Sequence, residues 1–374
     1  MTRGLRAPVL VAALGICACS TQLSSATASP AGTTAGSSAS SGCRALDAKP
    51  GTGSTLVAVA DKAPIGVAFV IDAVTGAVRG RIELPSAIPE VALDAKGNQL
   101  VLLCESAQLQ QLVAFDLNSL AERWRLTISD PATTKAVGGL PSLGVSRDGA
   151  FLFVQHTKAL RADATAPGGS RYWLSIHDAH TGVPLTEVEL PECGPGGRLL
   201  AGAPALVAVV CRDGARVAEA PTWRVVRSIP VANLAPVTLV DDTRLLGVSR
   251  QLQVFGVDLR TGITFEDSNW DEQSTGRVTH WGRLIAATDG SRLWVLTKRT
   301  ASGSTDEMPP DTLTEINLTT RKRIDTPVPD LRGVGLIGTR IVYFVQGRLR
   351  STDGALDVQV LNGSVEYWGV LATN

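Results

Sequence analysis

The stretch VIDAVTGAVRGRI, Val70 to Ile82, decides the fold because it returns six more times. The other copies are AFDLNSLAERWRL (114–126), IHDAHTGVPLTEV (176–188), VAEAPTWRVVRSI (217–229), GVDLRTGITFEDS (256–268), EINLTTRKRIDTP (315–327) and RLRSTDGALDVQV (348–360). Short strands repeated every 33 to 62 residues indicate a propeller or solenoid array. Each copy reads as strand, turn, strand. Position three holds Asp72, Asp116, Asp178, Glu219, Asp258, Asn317 and Arg350. A short acid or amide there accepts hydrogen bonds from backbone groups two or three residues on, and a hydroxyl at position six does the same more weakly. Gly76, Gly182, Gly262 and Gly354 at position seven permit the positive φ of a tight hairpin. The repeated Asp and Thr residues therefore read as turn-formers, not catalytic groups.

A second hairpin precedes most copies, as in VALDAKGNQLVLL (from Val91), LGVSRDGAFLFV (from Leu143) and AATDGSRLWVL (from Ala286). Two hairpins make a four-stranded antiparallel blade, with strands A to D running from centre to rim. The expected fold is all-β, a seven-bladed β-propeller. The first unit lacks an upstream A strand, while the chain continues past its last D strand through EYWGVLATN. The segment from Trp368 to Ala372 is thus expected to complete the first blade and close the ring, which leaves no long edge unpaired inside it.

The domain reading is a signal peptide over 1–18, a flexible tether over 19–42 and the propeller over 43–374. Arg3 and Arg6 precede a short apolar run, Ala7 to Ile16, which is a processing signal and too short to span a bilayer. Ile16-Cys17-Ala18-Cys19 resembles a bacterial lipobox with Cys19 as the lipidated residue. Residues 20–42 are almost wholly Ser, Thr, Ala and Gly, a composition that buries no core. The expected location is the outside of the cytoplasmic membrane, at the cell envelope, held through a lipid anchor. Cys43, Cys104, Cys193 and Cys211 form an even set in an exported chain, which favours disulfides. Cys193 and Cys211 fall at the same end of the fourth blade and are expected to pair. Cys43 with Cys104 follows by elimination.

The copies VIDAVTGAVRGRI and IHDAHTGVPLTEV, with VALDAKGNQLVLL and GVSRDGAFLFV, resemble YVTN-type repeats. That superfamily includes the quinoprotein amine dehydrogenase heavy-chain-like propellers. The resemblance covers nearly all of residues 50–372 and implies the propeller fold. Trp124 makes the second copy look like a pyrroloquinoline-quinone-type blade repeat, but the other copies lack that Trp. The resemblance carries over no cofactor residue.

Function is expected where the copies differ. In a propeller the D-to-A and B-to-C connections share one face, and here they carry the long insertions: Ser129 to Pro141, His156 to Arg171, Asp267 to His280 and Lys298 to Thr312. Long loops on a rigid scaffold are where binding residues usually lie. The candidate binding face holds Arg161, Asp163, Arg171, Tyr172, Trp270, Asp271, Arg277 and His280, since aromatic and Arg side chains are typical anchors. No nucleophile elbow, Walker motif or dinucleotide fingerprint occurs, and the four histidines fall on opposite faces, which disfavours a three-His metal centre. No catalytic residue, cofactor or metal is expected. Lys plus Arg equals Asp plus Glu at 35 each, which argues against a nucleic-acid partner. The leading reading is a lipid-anchored binding module for a protein, peptide or glycan. The alternatives are a propeller enzyme of the lactonase or quinoprotein type, and a scaffold subunit of an envelope assembly complex.

Overall fold

A computed structural model describes residues 42–372, except 54, 63–64, 85–90, 95, 106–109, 130–141, 160–169, 191–197, 201–204, 212–213, 230–236, 242, 249–252, 268–277, 288, 300–311, 330, 338–339 and 361–365. Strand β1 (Arg44–Leu46) is followed by β2 (Thr55–Lys62), β3 (Ile65–Asp72) and β4 (Val78–Leu84) in blade 1. Blade 2 holds β5 (Val91–Asp94), β6 (Gln99–Glu105), β7 (Gln110–Asp116) and β8 (Glu122–Ser129). Blade 3 holds β9 (Ser142–Val145), β10 (Phe151–Ala159), β11 (Ser170–Asp178) and β12 (Pro184–Glu189). Blade 4 holds β13 (Arg198–Leu200), β14 (Leu206–Cys211), β15 (Gly214–Glu219) and β16 (Arg224–Ile229). Blade 5 holds β17 (Val237–Asp241), β18 (Arg244–Val248), β19 (Val254–Asp258) and β20 (Thr264–Asp267). Blade 6 holds β21 (Val278–Ala286), β22 (Arg292–Arg299), β23 (Thr312–Asn317) and β24 (Lys322–Pro327). Blade 7 holds β25 (Leu331–Ile337), β26 (Arg340–Val345), β27 (Arg348–Ser351) and β28 (Asp357–Gln359), and the last strand is β29 (Glu366–Ala372).

The seven sheets form a seven-bladed β-propeller. Six have four antiparallel strands in chain order, and the first runs β1-β4-β3-β2-β29. Strand β29 pairs with β2, Leu56 opposite Ala372 and Ala58 opposite Val370, so the C-terminal strand completes the first blade and closes the ring. One strand has no counterpart in the repeat: β1 adds to the outer edge of β4, with Arg44 opposite Glu83 and Leu46 opposite Arg81. The innermost strands touch in ring order, among them β29 with β5, β5 with β9 and β25 with β29.

The core is divided into wedges, one between each pair of neighbouring blades. Alternation along a strand sends successive side chains to opposite neighbours. Leu56, Phe69 and Ile71 meet Val342 and Phe344 of blade 7, whereas Val57, Ala68 and Val70 meet Leu100 and Val113 of blade 2. Strands B and C are covered on both faces, which is why β14, LVAVVC, is buried along its whole length and shows no alternation. Rim strands are covered on one side only, and Leu185, Val225, Ile263, Phe265 and Ile324 remain exposed there.

The repeated turn is built as the pattern requires. Asp72 Oδ1 accepts from the amides of Val74 and Thr75 and from the Thr75 hydroxyl. Asp116, Asp178 and Asp258 do the same, and Asn317 accepts from two amides. Position seven is left-handed in every copy: Gly76, Leu120, Gly182, Trp223, Gly262, Arg321 and Gly354 have φ between 53° and 76°. The seventh copy departs from the pattern at position three. Arg350 pairs with Asp357, and the turn is made by Ser351 and Asp353, in the manner of Ser146 and Asp148 in blade 3.

At four of the blade junctions position eleven of one blade meets position seven of the next, whereas Gly354 faces open space. A Cβ placed on Gly182 would lie 2.8 Å from the Trp124 ring, one on Gly262 2.6 Å from the Arg227 guanidinium, and one on Gly76 against Val358. Between blades 1 and 2 the sizes are exchanged, Gly80 receiving Leu120. Trp124 therefore has a mechanical role between blades.

Candidate functional site

The strand ends fix where the long connections leave the ring. Strands β8, β10, β20 and β22 end at Ser129, Ala159, Asp267 and Arg299, and the chain resumes at Ser142, Ser170, Val278 and Thr312. These are D-to-A and B-to-C connections, so all four open on one end of the ring. They also collect on two blades. The first pair enters and crosses blade 3, and the second pair enters and crosses blade 6. Those two blades stand three places apart in a ring of seven, on opposite sides of its mouth. These two blades hold the longest strands: β10 and β11 of blade 3 and β21 of blade 6 have 9 residues each.

Arg161, Asp163, Trp270, Asp271 and Arg277 lie outside the described residues. Arg171 and His280 lie on β11 and β21 near the loop-bearing end. Tyr172 is placed differently from the expectation: its ring is buried between blades 3 and 4, beside Leu190, Leu199 and Cys211, and burial raises its phenol above the ordinary value. It supports the root of a loop and does not project from it. Alternation explains this, because Tyr172 shares a face with the core residues Leu174 and Ile176.

Sequence reasoning missed a polar network inside the wedge between blades 2 and 3. Residues two apart on one strand share a face, so His156 on β10, Ser175 on β11 and Glu187 on β12 form a row across the sheet. Ser175 donates to Glu187 at 3.2 Å, and His156 Nε2 lies 2.8 Å from the Ser175 hydroxyl and 3.4 Å from Glu187. The Ser175 hydroxyl and the Glu187 carboxylate both approach the ring at Nε2. In a nucleophilic triad the acid holds the other ring nitrogen; here serine and acid share one edge of the ring. Both His156 and Ser175 are buried. His177, nearer the tight-turn end, places Nδ1 3.1 Å from the Gly182 carbonyl, and burial holds its imidazole below the ordinary value. Among the described residues no group of three His, Cys, Asp or Glu side chains converges as a metal site would. The row ties three strands of blade 3 to one another.

The disulfides frame this end of the molecule. Cys43 and Cys104 are bonded, with Cα atoms 5.7 Å apart, and both are buried in the wedge between blades 1 and 2. Cys211 is disulfide-bonded at the end of β14; Cys193, its expected partner, lies outside the described residues. Cys19 lies outside them as well.

No family model matches the chain, and no curated protein does. Among solved structures, a functionally unknown protein from Desulfotomaculum acetoxidans DSM 771 is similar with a TM-score of 0.51 and 10% identity, over 84% of this chain and 99% of that one. Apo AztD from Citrobacter koseri is similar with a TM-score of 0.50 and 14% identity, over 85% and 97%. BamB from Moraxella catarrhalis is 18% identical over 86% of each chain, with a TM-score of 0.45. At these identities the likeness extends to the propeller fold and to nothing finer.

Proposed function

We propose that this chain is an extracytoplasmic propeller, anchored through a lipid on Cys19, that binds a protein, peptide or glycan at the ring end carrying the long loops. The observation that carries the reading is the gathering of the loop roots on blades 3 and 6. Two loop pairs on opposite sides of one mouth suit an extended partner gripped from two sides, and a rigid ring holds both roots without reorganisation. A disulfide between Cys43 and Cys104 fits an oxidising compartment, as does a bonded Cys211, and the reading pairs Cys211 with Cys193.

The test replaces residues 160–169 and 300–311 by short Asn-Gly turns, singly and together. Crosslinking from native membranes is then compared with wild type. Loss of one specific adduct in either variant, with an unchanged melting temperature, is the expected result. An adduct of unchanged yield in the double variant would overturn the assignment of this end. Cys19→Ser should move the protein out of the membrane fraction, and unchanged fractionation would sink the lipid anchor.

A further inference from the structure

Each blade ends at the rim in a row of backbone groups that can recruit another strand. Most of these edges are guarded. Strand β4 is covered by β1. Strands β8, β12 and β16 pair with their inner neighbours through bulges, which twist an edge away from a newcomer. Strand β24 carries Lys322 and Pro327, and β28 has only three residues. Strand β20, Thr264–Asp267, has no bulge, no Lys, no Pro and no covering strand among the described residues.

The side chains beside that edge are apolar. Among the described residues, seven of the nine exposed large hydrophobics lie on the rim hairpins of blades 3 to 6, and blade 5 contributes Ile263 at 66% and Phe265 at 43%. The Phe265 ring leans over Gly256, where a Cβ would lie 2.3 Å from it. The ring therefore rests on its own sheet with its outer part in solvent. The backbone beside it is equally open. Asp258 donates to the Ile263 carbonyl at 3.0 Å, and the pairing continues in step from Val257 opposite Thr264 to Val254 opposite Asp267. Bonded and non-bonded pairs alternate along an antiparallel ladder. The amides and carbonyls of Thr264 and Glu266 thus point away from β19, toward the free edge.

We propose that this edge pairs with the same edge of a second copy of the chain, so that blade 5 continues through a two-fold axis as one eight-stranded sheet. The register selects that occupant. Antiparallel pairing of β20 with itself, centred on Phe265, sets Thr264 against Glu266 of the second copy and satisfies both outward pairs. Phe265 then stands opposite its own equivalent in a non-hydrogen-bonded pair, with Cα atoms about 4.5 Å apart, where aromatic side chains pack across strands. Asp267 falls opposite Ile263, so no acid stands directly opposite an acid. Sliding one copy by two residues either sets Glu266 against Glu266 or leaves Thr264 alone to pair. The contact lies on the outer wall and depends neither on the lipid anchor nor on what the loops bind.

The test uses the full chain in native membranes. Phe265→Cys under a mild oxidant should give a reducible species of twice the chain mass. Its yield should exceed several-fold that of Ile324→Cys, a more exposed rim site on the next blade. Thr264→Pro removes an amide that points outward, which an edge strand tolerates. In that background the crosslink at 265 should disappear while the melting temperature stays unchanged. Phe265→Lys, which sets a charge against its own equivalent, gives a second readout that does not rely on the Pro variant folding. Co-isolation of two differently tagged chains should fall several-fold when both carry it. Equal crosslinking at 265 and 324, or a crosslink at 265 that persists beside a folded Thr264→Pro, overturns the edge pairing. Co-isolation that Phe265→Lys leaves unchanged does the same. An adduct of 265 with a different protein in place of the dimer overturns the second copy as occupant.

Discussion

Arg79 of blade 1 donates to the carbonyl of Leu117 in blade 2 at 2.7 Å. The same Nη2 reaches the Asn118 and Gly51 carbonyls, and Nη1 reaches the Thr55 hydroxyl. Arg227 of blade 4 reaches the equivalent carbonyl pair of blade 5, Leu259 and Arg260, at 3.4 and 3.1 Å. One guanidinium thus satisfies turn carbonyls that the neighbouring hairpin leaves open. Arg79→Met should cost about 3 kcal/mol, because buried carbonyls lose a charged donor. Arg227→Met, at a part-exposed site, should cost about 1 kcal/mol. Urea unfolding of both variants measures the difference, and equal losses would count against the latch.

The left-handed position separates backbone strain from docking. Gly354 has φ of 72° and open space within 4 Å of where a Cβ would stand, whereas Gly182 has φ of 73° and Trp124 against it. Gly354→Ala should therefore cost about 1–2 kcal/mol from conformation, and Gly182→Ala distinctly more. In a Trp124→Ala background the excess at 182 should shrink, giving a coupling of at least about 1 kcal/mol. Arg321 occupies the same position with φ of 55°, so Arg321→Gly should relieve about 1 kcal/mol of backbone strain. Thermal melts that show no coupling at 124 and 182 would remove the docking explanation.

The Cys43–Cys104 bond closes a loop with a sequence separation of 61 residues. In the chain-entropy model such a bridge contributes about 4 kcal/mol. Cys43→Ser/Cys104→Ser should lower stability by that order, and peptide mapping under non-reducing conditions should show the two cysteines in one linked fragment. A separate linkage of Cys211 to Cys193 in the same map is expected.

Acid should weaken the ring in two stages. Burial lowers the His177 pKa from its ordinary 6.5, so below that pH the unfolded chain binds a proton that the folded chain refuses. Its stabilising contribution is whole above 6.5 and declines as pH falls through the unfolded value toward the folded one. The turn carboxylates act lower. Hydrogen bonds from Thr75, Thr181 and Thr261 hold Asp72, Asp178 and Asp258 below 3.8, and Asp353 is brought to about 2 by Ser351. Their contribution is present above 3.8 and is lost as pH falls through the folded values. His177→Gln should flatten the stability profile between about pH 7.5 and 5 and leave the lower stage intact. An unchanged upper slope would assign that stage to another group.

The parts legible from residue order are the local ones. An Asp that bonds amides two and three residues on writes its own signature, so the hairpins, the blade count and the closing strand could all be inferred. Strand β1 could not be: RAL has three residues, no alternation and no turn signal, and it exists because the edge of β4 is open and Cys43 is tethered. The latches of Arg79 and Arg227 were equally hidden, because their acceptors are carbonyls of another blade. Loop residues such as Trp270 and Arg277 follow no period, so chain order shows which end they serve and not what they touch. The row of His156, Ser175 and Glu187 joins three strands through register, which separate sequence positions do not display.

Closure by β29 gives the molecule an unusual timetable. Blade 1 is the first to leave the ribosome and the last that can be finished, since the inner neighbour of β2 is Glu366–Ala372. Until that segment arrives, β2 offers an open edge at the axis, and pairings this distant in sequence form slowly. A chain crossing a membrane N-terminus first would carry that vacancy through the whole passage. The hazard is greatest then, because a β29 from another copy fits the slot as well as its own, and such exchange is a known route to linked dimers.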